Sequence, residues 1–284
     1  MNILVTGASG QLGNEIRLLS INSSHRFVFT DKDSLDITQE KEIISFFEDM
    51  QPDVCINTAA YTAVDKAESH LESCFLTNTK APELLAKACK KYKTKFIHIS
   101  TDFVFDGESN VPYTESSAVN PINVYGKTKQ EGEQRVLTEN AESIIVRTSW
   151  LYSSFGNNFV KTMIRYAKER REVNVVFDQI GTPTYAKDLA EVLLKIIEKK
   201  DSLKGIYHFS NEGVCSWYDF AHAIFEIHKL KVSLSPIRTA QYPTEAKRPP
   251  YSVLDKTKIK NALQISIRHW RDALNECIKI LVGE

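Results

Sequence analysis

The first thirteen residues limit the fold more than any other stretch of this chain. Ile3-Leu4-Val5 is a short apolar run, and Gly7, Gly10 and Gly13 follow it with Gly-x-x-Gly-x-x-Gly spacing. An apolar strand that turns through glycines into a helix is the opening of a βαβ unit. The first glycine permits the tight turn, the second lets backbone approach a pyrophosphate, and the third allows close helix packing. The helix opening near Gln11 and Leu12 also offers free N–H groups and the positive end of its dipole. Gly7, Gly10, Gln11, Leu12 and Gly13 are therefore read as cofactor-binding.

The rhythm that follows extends this unit. Short apolar runs at 3–5, 27–30, 54–57, 96–100 and 143–147 read as strands buried on both faces of a parallel sheet. Helical patterns lie between them at 11–19, 39–50, 81–91 and 123–138, the second with Ile43, Ile44, Phe46 and Phe47 on its apolar face. This alternation predicts an α/β fold with a doubly wound parallel sheet, the Rossmann type. After Arg147 the pattern loosens. Helices are expected at 157–170, 185–199, 217–229 and 269–281, strands at 173–177 and 206–209, and proline-containing loops over 235–250. We expect a dinucleotide-binding domain over 1–150. Residues 151–284 are expected to form mainly a smaller, interleaved substrate-binding lobe, with some segments returning to the sheet.

Composition narrows the function classes. Lys+Arg and Asp+Glu are both 36, so no global field draws the chain to nucleic acid. No apolar run is long enough to span a bilayer, and the N-terminus enters a strand without a signal-type core. The five cysteines are scattered and odd in number, without a Cys-x-x-Cys pair. These features predict a cytoplasmic protein. The seven histidines show no ligand spacing, so no catalytic metal is expected. His98, alternating with Ile97 and Ile99, is read as structural and Cys55 as core.

The chemistry is carried by Tyr125-Gly126-Lys127-Thr128-Lys129. Tyr125 and Lys129 are four apart, which puts both on one helix face. A phenol with pKa of about 10 is a poor acid at neutral pH. An ammonium beside it favours the phenolate and brings proton transfer into range. Behind a glycine turn, the pair predicts a nicotinamide cofactor beside a tyrosine acid. Asp31 follows the second strand, where a carboxylate suits an adenosine ribose with a free 2′-hydroxyl. Lys32 suits a 2′-phosphate, so NAD and NADP both remain open. Asp36 and Ile37 read as an adenine-contacting segment, with Asp36 equally able to cap the next helix. Ala59, Ala60 and Tyr61 end the third strand, where small residues admit either the cofactor or a close helix contact.

These motifs occur in a recognisable order. Residues 6–13, 57–68 (NTAAYTAVDKAE), 100–107 (STDFVFDG), 125–129, 147–152 (RTSWLY) and 178–184 (DQIGTPT) resemble the dTDP-4-dehydrorhamnose reductase family. That family belongs to the extended short-chain dehydrogenases/reductases. Residues 216–221 (SWYDFA) and Arg248-Pro249 also fit, so the resemblance covers essentially the whole chain. It implies reduction of the C4 ketone of a dTDP-linked 6-deoxy-4-keto sugar, giving dTDP-L-rhamnose for rhamnose-containing polysaccharide. The implied cofactor is NADPH, with NADH as the alternative. Carried over by motif position, Tyr125 protonates the developing C4 alkoxide. Lys129 binds the nicotinamide ribose and lowers the tyrosine pKa, and Thr101 hydrogen-bonds the ketone oxygen. Trp150 resembles the tryptophan that packs on the sugar, and Val64 matches a position lining the same pocket. Asp102 and Phe103 continue the Thr101 motif, although the family commonly has tyrosine at the latter position. Asn158, Gln179 and Arg248 are further candidates for holding the nucleotide. A homodimer is left open.

Two rival functions are weighed. A nucleotide-sugar dehydratase needs a carboxylate pair after the threonine, and Phe103 cannot act as a base; an epimerase is excluded less firmly. A non-catalytic subunit resembling the beta subunit of methionine adenosyltransferase could retain the Tyr-x-x-x-Lys pair.

Overall fold

The computed structural model describes residues 1–199 and 203–283. In chain order the first half comprises β1 Asn2–Thr6, α1 Gln11–Ser20, β2 Arg26–Thr30, α2 Glu40–Met50, β3 Val54–Asn57, α3 Val64–Ala67, α4 Leu71–Phe75, α5 Ala81–Tyr92, β4 Lys95–Thr101, α6 Val124–Glu139 and β5 Ile144–Thr148. The second half comprises β6 Leu151–Tyr152, α7 Phe159–Glu169, β7 Glu172–Val176, β8 Ile180–Gly181, β9 Thr184–Tyr185, α8 Ala186–Glu198, β10 Gly205–His208, β11 Cys215–Ser216, α9 Trp217–Ile227, β12 Ser233–Ile237, α10 Thr257–Leu263 and α11 Trp270–Val282.

The main sheet is six-stranded in the order β10-β5-β4-β3-β1-β2, and every pairing in it is parallel. This is the doubly wound α/β fold expected from the βαβ rhythm. The order reverses between β1 and β3, and such switch points are where these sheets bind ligands. One apolar layer packs α1 and α8 against one face of the sheet through Ile16, Leu189 and Leu193. The opposite face is covered through Phe47, Leu85 and Cys89. Cys55 lies in that layer, as expected, and all five cysteines are free and buried.

The sheet does not end with β5. The chain leaves it, builds α7 to α8, and returns with β10 beside β5. A second core joins α7, α9 and α11 through Val160, Phe220, Ile224, Trp270 and Leu274. Three two-stranded pairs, β7 with β12, β8 with β11 and β6 with β9, complete this part. Among the described residues no helix is long and apolar enough to cross a membrane.

Two segments depart from expectation. Residues 233–237 form β12, although loops were expected from 235 onward. Pro236 has no N–H to give a ladder, but β12 pairs only with β7, so the missing donor falls on an open edge. The helix expected at 81–91 is the last part of a longer helical run. It starts at Leu71 and passes through a π-helical turn, Leu76–Lys80, before α5. The widened turn carries Asn78, whose side chain grips Tyr61 backbone, accepting from its N–H at 2.8 Å and donating to its carbonyl at 3.1 Å. A composition rule cannot see this, because the turn is set by what Asn78 bonds and not by helix propensity.

Candidate active site

A cleft of about 810 Å³ opens along the C-terminal ends of β1, β3, β4 and β5. Its floor is the turn between β1 and α1. Gly7 has φ of +72°, and a Cβ there would lie 2.5 Å from the Ala59 nitrogen. Only glycine lets the first turn nestle against the end of β3. Gly13 does not line the cleft; a Cβ there would lie 2.7 Å from Ala8, so its part is helix packing. At Gly10 a Cβ would meet only the Gly7 carbonyl, at 3.2 Å. Gly10 is the N-cap of α1 and contributes no side-chain cap, so the first turn presents its N–H groups to the cleft. That opening fits a pyrophosphate.

Of the residues predicted from sequence, the cleft gathers Gln11, Leu12, Asp31, Lys32, Asp36, Ile37, Ala59 and Ala60 at its cofactor end. The Asp31 carboxylate accepts from the N–H groups of Asp33 and Ser34, which shapes the turn after β2. Asp36 does not cap α2, whose N-cap is Gln39. Instead its carboxylate accepts from the Thr38 N–H at 3.0 Å and hydroxyl at 2.7 Å. Burial would raise that carboxyl, but the Thr38 bonds and Lys32 hold it below its ordinary value. Tyr61 is not in the cleft; its hydroxyl lies 2.9 Å from His70 Nδ1 on the outside.

At the other end stand Thr101, Asp102, Tyr125, Lys129 and Trp150, while Asn158 lines the cleft beside Gln11. Their placement begins with α6. Asn123 caps it, accepting from the Gly126 N–H at 2.7 Å. Two glycines then let the helix lie unusually close to its neighbours. A Cβ on Gly126 would sit 2.2 Å from the Phe103 carbonyl oxygen, and one on Gly132 would sit 2.1 Å from that of Asn78. This close contact sinks Lys129 until it is only 1% exposed. Its ammonium nitrogen donates to the Ile99 carbonyl at 2.6 Å and lies 3.3 Å from His98 Nε2. Burial pushes Lys129 down to about 8, against the opposing charges of Glu133 and Cys74.

Thr101 ends β4 and serves two ends. Its hydroxyl oxygen accepts from the Phe103 N–H and the group donates to Asp102 Oδ1 at 3.0 Å. It also lies near enough to the Tyr125 phenol to favour its ionised form. Burial pushes that phenol above its ordinary range; the Thr101 hydroxyl opposes the rise, while Asp102 and Cys74 add to it. The lowering expected from Lys129 is not found: burial dominates, and Lys129 is not among the groups that shift the phenol. Burial also raises the Asp102 carboxyl to about 6, opposed by hydrogen bonds from Ser252 and Thr101.

A smaller hollow of about 80 Å³ adjoins this end, and Phe103, Trp150, Gln179 and Arg248 face it. Phe103 meets Tyr125 edge-on, with ring centroids 5.8 Å apart, so the ring supports the tyrosine where the family commonly carries a second hydroxyl. Trp150 adopts φ of +46°, a region that side chains rarely enter. It stacks on Trp217 at 3.6 Å and is backed by Gly181, whose Cβ would lie 2.6 Å from the indole. Gln179 donates to the Thr239 hydroxyl at 3.1 Å. Both Arg248 terminal nitrogens donate to Asp65, each at 2.7 Å, so Arg248 is held from α3 and does not lie free in a surface turn. Asn158 caps α7 and donates to Gln11 Oε1 at 2.9 Å, joining the two halves of the chain. Val64 lines neither cavity.

Sequence reasoning gave no site role to Trp217, Ser252, Asn57 or the two α6 glycines, although Trp217 and Asn57 lay within the segments that carried the family resemblance. Gly126 was legible within the Tyr-x-x-x-Lys stretch, since a glycine inside a helix costs about 1 kcal/mol and calls for a packing reason. The Trp150–Trp217 stack joins residues far apart in sequence and had no local signal.

Residues 1–282 match the family model described as RmlD substrate binding domain. A dTDP-4-dehydrorhamnose reductase from Aggregatibacter actinomycetemcomitans is 45% identical over 96% of each chain. Among solved structures, a dTDP-4-dehydrorhamnose reductase from Clostridium acetobutylicum superposes with a TM-score of 0.96 at 44% identity, covering 99% of this chain and 100% of the other. One from Bacillus anthracis, in complex with NADP, gives 0.94 at 39% identity over 98% of each chain. Full-length agreement in sequence and fold, together with a tyrosine, lysine and threonine gathered in the same cleft as the glycine turn, leads to one assignment: the chain belongs to the dTDP-4-dehydrorhamnose reductase family.

Proposed function

We propose that the protein reduces the C4 ketone of dTDP-4-dehydro-L-rhamnose to the alcohol of dTDP-L-rhamnose, with NADPH as the preferred cofactor and NADH as an alternative. The observation that carries this reading is the single cleft that holds the glycine turn at one end and Thr101, Tyr125 and Lys129 at the other. When bound, the nicotinamide supplies the hydride that makes the new C4–H bond. Tyr125 gives the phenolic proton to the oxygen, and solvent restores it. Thr101 orients that oxygen through its hydroxyl. Lys129 holds the cofactor ribose and, when protonated, favours the tyrosinate left behind. The α1 N–H groups take the pyrophosphate, and Lys32 takes a 2′-phosphate.

Trp150 offers an apolar face to the 6-methyl group and ring C–H bonds of the sugar. Burying one methyl gains only about 1–3 kcal/mol, so the nucleotide supplies much of the affinity. Its binding falls to the second half of the chain, through Gln179, Asn158 and, once released from Asp65, Arg248. We read residues 1–150 as the cofactor domain and the remainder as the substrate lobe. We place the enzyme in the cytoplasm, in keeping with its five free thiols.

The test is stoichiometric. Purified protein with NADPH and dTDP-4-dehydro-L-rhamnose should oxidise one cofactor for each keto sugar consumed. Binding of both without oxidation would instead identify a non-catalytic subunit.

A further inference from the structure

Below the cleft floor runs a buried polar chain that the reaction does not obviously need. It links Thr6, Asn57, His98 and Lys129, and none of the four is more than 1% exposed. Its donors and acceptors can be assigned in sequence. Asn57 Oδ1 lies 3.1 Å from the Ala59 backbone nitrogen and 2.7 Å from Thr6 Oγ1. A backbone N–H only donates, so this atom is the amide oxygen and the Asn57 orientation is set. The amide nitrogen then faces His98 Nδ1 at 3.1 Å. That nitrogen also only donates, so Nδ1 is the acceptor. In a neutral imidazole the proton therefore sits on Nε2. Nε2 lies 3.3 Å from Lys129 Nζ.

The consequence falls on Lys129. An ammonium carries donors and no acceptor. Facing an Nε2–H, it makes a donor-to-donor contact in a dry site, whereas a neutral amine offers a lone pair to that proton. The bond to the Ile99 carbonyl serves either form. We propose that Asn57 and His98 form a tautomer lock that favours the neutral amine of Lys129, making His98 a positioning residue that sets the alkaline limit of the reductase.

The other groups around Lys129 do not remove the conflict. On its own helix are Tyr125 and Glu133, and the Glu133 carboxylate is paired with Arg147 of β5 at 2.7 Å. From α4 comes Cys74, whose thiol lies 3.2 Å from the Thr128 hydroxyl. Asp102 adjoins Thr101 and bears on Tyr125. Asp65 of α3 and Glu83 of α5 pair with Arg248 and Arg135. A charged His98 would set a second N–H against the Asn57 amide nitrogen, and burial, with the Lys129 charge, holds that ring well below its ordinary value. The downward shift of Lys129 agrees in direction.

The inference rests on the reductase reading for its kinetic test only. Above the Lys129 pKa the ammonium that supports Tyr125 is lost, so kcat/KM falls on the alkaline side. His98→Gln breaks the lock, because its amide can give up the Asn57 contact and turn its oxygen toward the ammonium, the stronger, charge-assisted bond. Its alkaline limb should move up by about one to two pH units, the size of one exchanged charge-assisted hydrogen bond. Asn57→Asp should also move it up, because a carboxylate draws the proton to Nδ1 and frees Nε2 to accept. A purely structural His98 would lower rate or melting temperature and leave the limb in place, which overturns the proposal. Two measurements need no turnover. In wild-type protein, ¹⁵N-histidine NMR should show His98 protonated on Nε2; a proton on Nδ1 overturns the lock even if every variant misfolds. Titration of ¹³Cε-lysine resonances should show Lys129 moving upward in His98→Gln. If wild-type protein fails to oxidise NADPH with the keto sugar, the reductase reading fails while these two results still decide the lock.

Discussion

Replacing Gly126 with alanine tests how finely α6 positions the acid. The added Cβ would sit 2.2 Å from the Phe103 carbonyl oxygen and 3.0 Å from the Pro121 side chain. An ordinary carbon–oxygen contact is about 3.3 Å. The start of α6 must therefore retreat by about 1 Å, and Tyr125, the preceding residue, moves with it. Misplacing a reacting group by that distance costs about 10²-fold. The stability change is smaller, because two effects oppose: alanine gains about 1 kcal/mol in helix propensity, while overpacking costs about 1–3 kcal/mol. Gly126→Ala should thus melt within a few degrees of wild type and bind NADPH normally through the β1–α1 turn. Its kcat/KM for dTDP-4-dehydro-L-rhamnose should fall about 10²-fold. The assay is steady-state cofactor oxidation at 340 nm, paired with calorimetry and cofactor titration. Activity within threefold of wild type would refute the argument, showing that Phe103 yields and α6 does not. So would a matching loss of cofactor affinity, which would place the damage in the fold.

Three other outcomes are expected. Tyr125→Phe removes only the phenolic proton, so cofactor binding should persist while turnover drops by about 10²–10⁴-fold; an equilibrium titration beside the rate assay checks both. Lys32→Ala should weaken NADPH more than NADH, and equal losses would mean that Lys32 does not reach the 2′-phosphate. Asp102, raised to about 6 by burial, destabilises the fold once ionised, a penalty present above that value and gone as pH falls below its ordinary value of about 3.9. Asp102→Asn should therefore add about 2–3 kcal/mol near pH 7.5 and almost nothing near pH 4, and urea melts showing equal gains at both would count against the buried charge.

Local pattern decided a good deal of this protein. The glycine spacing at 7, 10 and 13 carried the βαβ opening, because each glycine answers a short-range demand: a positive φ, an open approach, a close helix. The parallel strands were legible as short apolar runs, and Tyr125 and Lys129 as neighbours one helical turn apart. Residues such as Asp31, Lys32, Asp36 and Ile37 followed from their place after β2. What the sequence could not carry were relations between distant segments. The π-helical turn at Leu76–Lys80 exists because Asn78 bonds Tyr61 and meets Gly132. Arg248 is held by Asp65, 183 positions away. Trp150 and Trp217 stack only because β8 brings Gly181 behind the indole. His98 read as an ordinary strand residue, and its link to Lys129 arises only when α6 sinks onto β4 through two glycines. Short-range sterics are written into neighbouring residues; the protonation of a buried lysine depends on which atoms the fold packs around it.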